Sequence, residues 1–205
     1  ARMMNRRNAA IWYASVPLGT DCQAQVLEIP YGAANSSFRG NVTDEFTAIL
    51  ILPCEGQALD TTVRELRDAK VWDSWMNKLS LTPTITSILS IPKFKLSTPP
   101  TGYRKVLMEM GVKAAFLGEN GGGFSKMTAD TSIQVTDVVH TGNVEVNEKG
   151  TTAAAASGLI VTTKSGTPGE IPPIVFNRSF IFAVRNKMSS AIIFIGRVDD
   201  PTLTA

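Results

Sequence analysis

The chain has one imidazole, His140, with a carboxylate, Asp137, three residues before it. A hydrolytic triad needs a nucleophile beside a histidine that a carboxylate orients. Both residues instead fall inside a strand-like run, Ile133 to Val146, where the default is a histidine hydrogen-bonded within a sheet core. The glycines between Gly118 and Gly123 lack the Gly-Lys-Ser/Thr ending of a phosphate loop and the glycine order of a dinucleotide fingerprint, so they read as a connection. Cys22 and Cys54 fit no zinc spacing beside a single histidine. No metal or other cofactor is expected. Trp72 and Trp75 lie on one helical face and read as core rather than as a ligand platform.

Three sequons, at Asn35, Asn41 and Asn177, are candidate glycosylation sites and point weakly toward secretion. The bulk numbers set broad limits: 205 residues, 43% hydrophobic and 19% charged, with a formal net charge of +2. That is an ordinary globular balance, too near neutral to make nucleic acid or an anionic membrane the main partner. No apolar run reaches the roughly 20 residues needed to cross a bilayer.

Apolar patterning predicts strands at Ile11 to Val16, Cys22 to Ile29, Phe46 to Leu52, Ile85 to Leu96, Ile133 to Val146, Phe180 to Val184 and Ala191 to Ile195, the third being an almost wholly apolar run that suits burial on both faces. Helical spacing predicts short helices at Leu59 to Ala69, Val71 to Leu79 and Tyr103 to Met110. Thr151 to Thr163 fits neither class. It is thirteen residues with no charge and no proline, and its Ala153-Ala154-Ala155-Ala156 run favours helix over strand. Exposed, it is a loop or a short helix; paired as a strand, its alternate residues could face a core without burying a charge.

At this segment the chain closely resembles the serpin family. Val138-Val139-His140, then Val144-Glu145-Val146-Asn147-Glu148-Lys149-Gly150-Thr151 and the alanines, look like the family's fifth strand of sheet A and the hinge of its reactive-centre loop. Further landmarks follow in family order: Leu27-Glu28-Ile29-Pro30-Tyr31, Ile91-Pro92-Lys93-Phe94, Leu107-Met108-Glu109-Met110-Gly111, Phe176-Asn177-Arg178-Ser179-Phe180 and Phe194-Ile195-Gly196-Arg197-Val198. Thr141 and Gly142 stand where the family usually has lysine and alanine, which puts the usual polar contacts there in question.

The resemblance implies an α+β chain with the serpin fold: sheets B and C, part of sheet A, and short helices. Residues 1–205 are expected to be the C-terminal portion of a single serpin domain, the N-terminal half lying outside them, with the hinge and reactive-centre loop at 148–173. The resemblance implies an inhibitor rather than an enzyme: a serine protease cuts the loop, and the loop enters sheet A before the acyl-enzyme hydrolyses. The hinge is assigned to Glu148, Gly150, Thr151, Thr152, Ala153, Ala154, Ala155 and Ala156, and the scissile bond to Lys164-Ser165. Lys164 is also the only Lys or Arg between Gly150 and Arg178. A lysine there suits a pocket with an aspartate at its base, so the expected partner is a trypsin-like serine protease, met by an extracellular, monomeric full-length protein. Any glycosaminoglycan contact is left open. The alternative is a non-inhibitory serpin acting as a carrier or chaperone. Finally, antiparallel pairing of Ile29 with Phe46 would put Cys22 opposite Pro53, one residue from Cys54, so a disulfide is geometrically open in a secreted protein.

Overall fold

A computed structural model describes residues 2–31, 46–80, 84–118, 123–130, 132–147 and 171–200. The chain divides into two compact units, Ala1–Lys95 with Glu145–Ala205, and Leu96–Val144.

The first unit is organised by one long strand. β1 (Met3–Leu18) pairs through its second half with β2 (Cys22–Pro30), and through its first half with β4 (Thr84–Pro92). Only its apolar second half is legible as a strand, because Asn5, Arg6, Arg7 and Asn8 are exposed and break the apolar alternation. β3 (Phe46–Leu52), β10 (Phe180–Asn186) and β11 (Ile192–Val198) extend the sheet on one side, and β9 (Ile174–Val175) closes the other. The strand order is β11-β10-β3-β2-β1-β4-β9. The pairs from β11 to β4 are antiparallel, and β4 with β9 is parallel.

Alternation gives this sheet two apolar faces. Ala14, Val16, Leu18, Ala24, Val26, Ile49, Ile51, Ile181 and Ala183 form one core with Leu59 of α1 (Leu59–Glu65) and Trp72 and Trp75 of α2 (Ala69–Asn77). The helical pattern does not run on through Ala69: α1 ends at Glu65 with Leu66 as its C-cap, and a second helix starts at Asp68. Its side chain accepts the Lys70 N–H at 2.9 Å and caps a new helix. The phase opposite to Ile181 and Ala183 carries Phe180 and Phe182. Phe94 meets both rings edge-on, at 5.5 and 5.3 Å between centroids, and Phe176 meets Phe180 at 5.0 Å.

β2 and β3 pair two residues away from the expected register, with Ile29 opposite Ala48 rather than Phe46. A two-residue shift keeps every side chain on its face, which is why the burial pattern could not reveal it. It leaves Cys22 and Cys54 close, with Cα atoms 5.9 Å apart and Sγ atoms 2.04 Å apart in a disulfide.

The second unit holds α3 (Arg104–Glu109), α4 (Ala114–Leu117) and a small ladder between β6 (Thr101–Gly102) and β7 (Val139–His140). β5 (Phe94–Ser97) pairs with β8 (Asn143–Val146) in a further two-stranded ribbon. The strand expected from Ile133 to Val146 is therefore two short strands, and residues 133–138 lie outside any regular ladder. Phe180 anchors the aromatic face: its side chain is 0% exposed. Phe180→Ala should lower the stability of the folded protein by about 3–5 kcal/mol through lost transfer energy and a residual cavity, read as a reduced denaturant midpoint at unchanged slope.

Candidate functional site

Lys164, Ser165, Glu148, Gly150 and the hinge residues Thr151 to Ala156 all lie outside the described residues, as do Asn35 and Asn41. The structure does describe the two chain segments that bracket the loop.

The downstream segment is held at the sheet edge. Pro172 and Pro173 have no N–H to give a ladder, which suits an edge position. Around them Ile171 donates its N–H to the Ile85 carbonyl at 3.0 Å, and Ile171 and Thr86 form a parallel bridge. The Thr86 side chain is fully buried, and its hydroxyl donates to the Pro172 carbonyl at 2.9 Å, with the Ile88 carbonyl 3.1 Å away. Leu89 then faces Ile174 and Ser90 faces Val175, and Phe176 donates its N–H to the Ser90 carbonyl at 2.9 Å. Ile174 and Phe176 enter the core while Val175 stays exposed. Beyond them Arg178 Nε donates to the Pro53 carbonyl at 2.8 Å, next to disulfide-bonded Cys54. Asn177 is exposed, and its Oδ1 accepts from Arg178 at 3.2 Å.

The upstream segment is gripped along residues 98–104 of the second unit. Thr98 donates its N–H to the Gly142 carbonyl at 2.9 Å, and Gly142 N–H returns to the Thr98 hydroxyl at 2.9 Å. The Thr141 hydroxyl donates to the Thr98 carbonyl at 2.8 Å. The two residues that depart from the family pattern thus make polar contacts of their own. Tyr103 donates its N–H to Val138 at 2.8 Å, and its ring meets the His140 ring edge-on at 5.9 Å.

This geometry corrects the reading of His140. It is exposed rather than set in a sheet core, and the reason is the same one that shortened its strand: within its unit the residue is paired on one side, by β6. Asp137 does not orient it. Its Oδ1 accepts the N–H groups of Arg104 at 3.1 Å and Val138 at 2.8 Å. Sequence spacing alone could not show that the carboxylate serves the backbone. Two surface groups carry shifted pKa values. The Ser132 hydroxyl and amide hold the Asp130 carboxyl below its usual value, and hydrogen bonds to Asp199 and Asp60 raise that of Arg197. Among the described residues no group of His, Cys, Asp and Glu is arranged to hold a metal, and no helix is long and apolar enough to cross a membrane.

Comparison with known proteins follows the same lines. The family described as "Serpin (serine protease inhibitor)" matches residues 1–201. Intracellular coagulation inhibitor 2 of Tachypleus tridentatus is 32% identical over 179 residues, covering 87% of this chain and 40% of that protein. Plasminogen activator inhibitor 2 of Homo sapiens is 31% identical over 184 residues, covering 88% and 40%. The chain thus spans about 40% of the length of these curated relatives. Among solved structures, human thyroxine-binding globulin complexed with thyroxine superposes with a TM-score of 0.71 at 24% identity, over 97% of this chain and 46% of that one. The order of the landmarks, the sheet and the extent of the family match lead to one conclusion: the chain belongs to the serpin family.

Proposed function

We propose that the full-length protein is a suicide-substrate inhibitor of trypsin-like serine proteases, cut at Lys164-Ser165. The observation that carries this reading is the stretch Thr151 to Thr163, uncharged throughout and ended by the only Lys or Arg between Gly150 and Arg178. Fourteen residues from Thr151 to Lys164, at roughly 3.3 Å each, span about 46 Å as an inserted strand, comparable with a protease domain. Small residues at the hinge let insertion start without burying bulk or charge. Two of the relatives above carry the word inhibitor in their names, which supports this reading over a carrier.

In the complete protein, the wild type mixed with trypsin should give a detergent-stable adduct, and the cleaved form should gain heat stability. Cleavage with neither result would favour the carrier reading, as in the thyroxine-bound relative in fold. Lys164→Glu should abolish inhibition of trypsin while leaving the fold intact, because like charges would meet in a desolvated pocket at a cost of several kcal/mol. Inhibition at the wild-type rate would mean that the scissile residue is elsewhere. Thr151→Arg should turn the inhibitor into a substrate: the first residue to insert would bury an unpartnered guanidinium, while attack on Lys164 proceeds as before.

We also propose an extracellular site of action. It is supported by the Cys22 and Cys54 geometry and by the sequons at Asn35, Asn41 and Asn177, of which Asn177 is exposed. Secreted material analysed intact by mass spectrometry without reductant should show no free thiol at either cysteine. Two free thiols would remove this support. Across a sequence separation of 32 residues, reducing the bond should lower stability by about 3–4 kcal/mol in the chain-entropy account.

A further inference from the structure

Residues 101–104 and the Ala115-Phe116 turn of α4 hold residues 135–140, and the backbone comes close to a side chain at Gly102. A Cβ there would collide with the Asp137 carboxylate, at Oδ2 first. The other carboxylate oxygen, Oδ1, takes the N–H of Arg104 at 3.1 Å, a donor that α3's own first flanking residue, Tyr103, leaves uncapped. Arg104 in turn sends its guanidinium back across the same segment. Nη1 donates to the Thr136 carbonyl at 2.8 Å, Nη2 donates to the Phe116 carbonyl at 3.1 Å, and the charge lies 5.5 Å from the centre of the Phe116 ring. Val135 N–H completes the set by donating to Ala115 at 2.8 Å. Residues 132–138 thus lack a β-ladder and are held by one carboxylate, one guanidinium and a few backbone bonds.

We infer that Gly102, Arg104 and Asp137 are positioning residues that anchor the segment leading into β7 and β8, the short strands before the hinge, and so set the balance between trapping a protease and being cut by it. The inference rests on the inhibitory reading above. A loop that inserts beside these strands needs a template with its side chains on fixed faces, and a one-residue slip reverses every one of them. A long ladder resists slippage by its many bonds; β7 and β8 have only 2 and 4 residues, so the lock just upstream backs their short ladders. Loosening the lock slows insertion, whereas attack on the scissile bond depends on the loop and the protease alone. Deacylation then wins more often.

The test uses the full-length protein and trypsin, and measures three things: moles of inhibitor consumed per mole of protease inactivated, the rate of cleavage at Lys164, and the melting temperature. The wild type is measured first, and failure to form any adduct sinks the inhibitory reading and this inference with it. Given a wild-type adduct, Gly102→Ala should raise the stoichiometry on the order of tenfold, as a ~1.4 kcal/mol change in one of two competing barriers does, with the cleavage rate unchanged. The double variant Gly102→Ala with Asp137→Ser should bring the stoichiometry back toward wild type. The shorter side chain makes room for the methyl group, and its hydroxyl can still accept the Arg104 N–H. Should Gly102→Ala not fold, Arg104→Lys carries the test, since lysine cannot span the Thr136 and Phe116 carbonyls together. A lowered melting temperature with wild-type stoichiometry, in whichever single variant folds, makes the lock a stabilising contact only and overturns the proposal.

Discussion

The first unit depends on β1 pairing twice. Its sixteen residues serve β4 with Met3 to Ile11 and β2 with Trp12 to Leu18, so two ladders become one sheet of seven strands. Strands on both sides are placed by that splice. β3 and β10 follow from β2, and β9 is held because β4 has its far edge free to accept a parallel partner. The positive φ of Asn8, at 49°, falls within the ladder to β4, between the paired residues Arg7 and Ala9, and asparagine is among the residues that tolerate that conformation best. The segment downstream of the loop is thereby tied to the same strand that organises the core, through Phe176, Ser90 and the hydrogen bond of Ser90 with Asn5.

The two sides of the loop are held by different physics. Downstream, Ile174 and Phe176 are buried and the Phe176 ring meets that of Phe180, so apolar burial backs the few backbone bonds of a two-residue strand. Upstream, residues 132–142 are exposed or half-buried, and their attachments include hydrogen bonds to Thr98, Tyr103 and Arg104. Polar attachments of this kind contribute only about 0.5–1.5 kcal/mol each net. They give direction and register more than they give strength.

What could be read from residues alone followed the strength of the apolar signal. β3 was legible to its end residues because Ala48 to Leu52 is unbroken and buried. The first half of β1 was hidden by a polar run, and the break between α1 and α2 by a cap at Asp68 that looks like any other aspartate. Ile133 to Val146 showed the opposite error. Its alternation is real, but alternation describes what a strand could bury and not whether a partner is there to pair with it. Burial patterns are blind to a two-residue shift, which is how Ile29 came to be set against Phe46. As for the candidate site, the family motifs marked the loop and its hinge, while the roles of Asp137 and Arg104 rest on contacts some 30 residues apart that no local spacing encodes.

β3 lies between β2 and β10, and about 130 residues of chain separate the end of β3 from the start of β10. At about 5–20 residues per second, a ribosome needs roughly 6–26 s to make that interval. Throughout it, Phe46 to Leu52 has one neighbour in place and its other edge open, with no charged residue in the strand to discourage a stray partner. Biosynthesis therefore carries a timed hazard that the finished sheet conceals: the nascent chain depends on a late strand to cover its most adhesive edge, and slow translation or a shortage of chaperones lengthens the exposure.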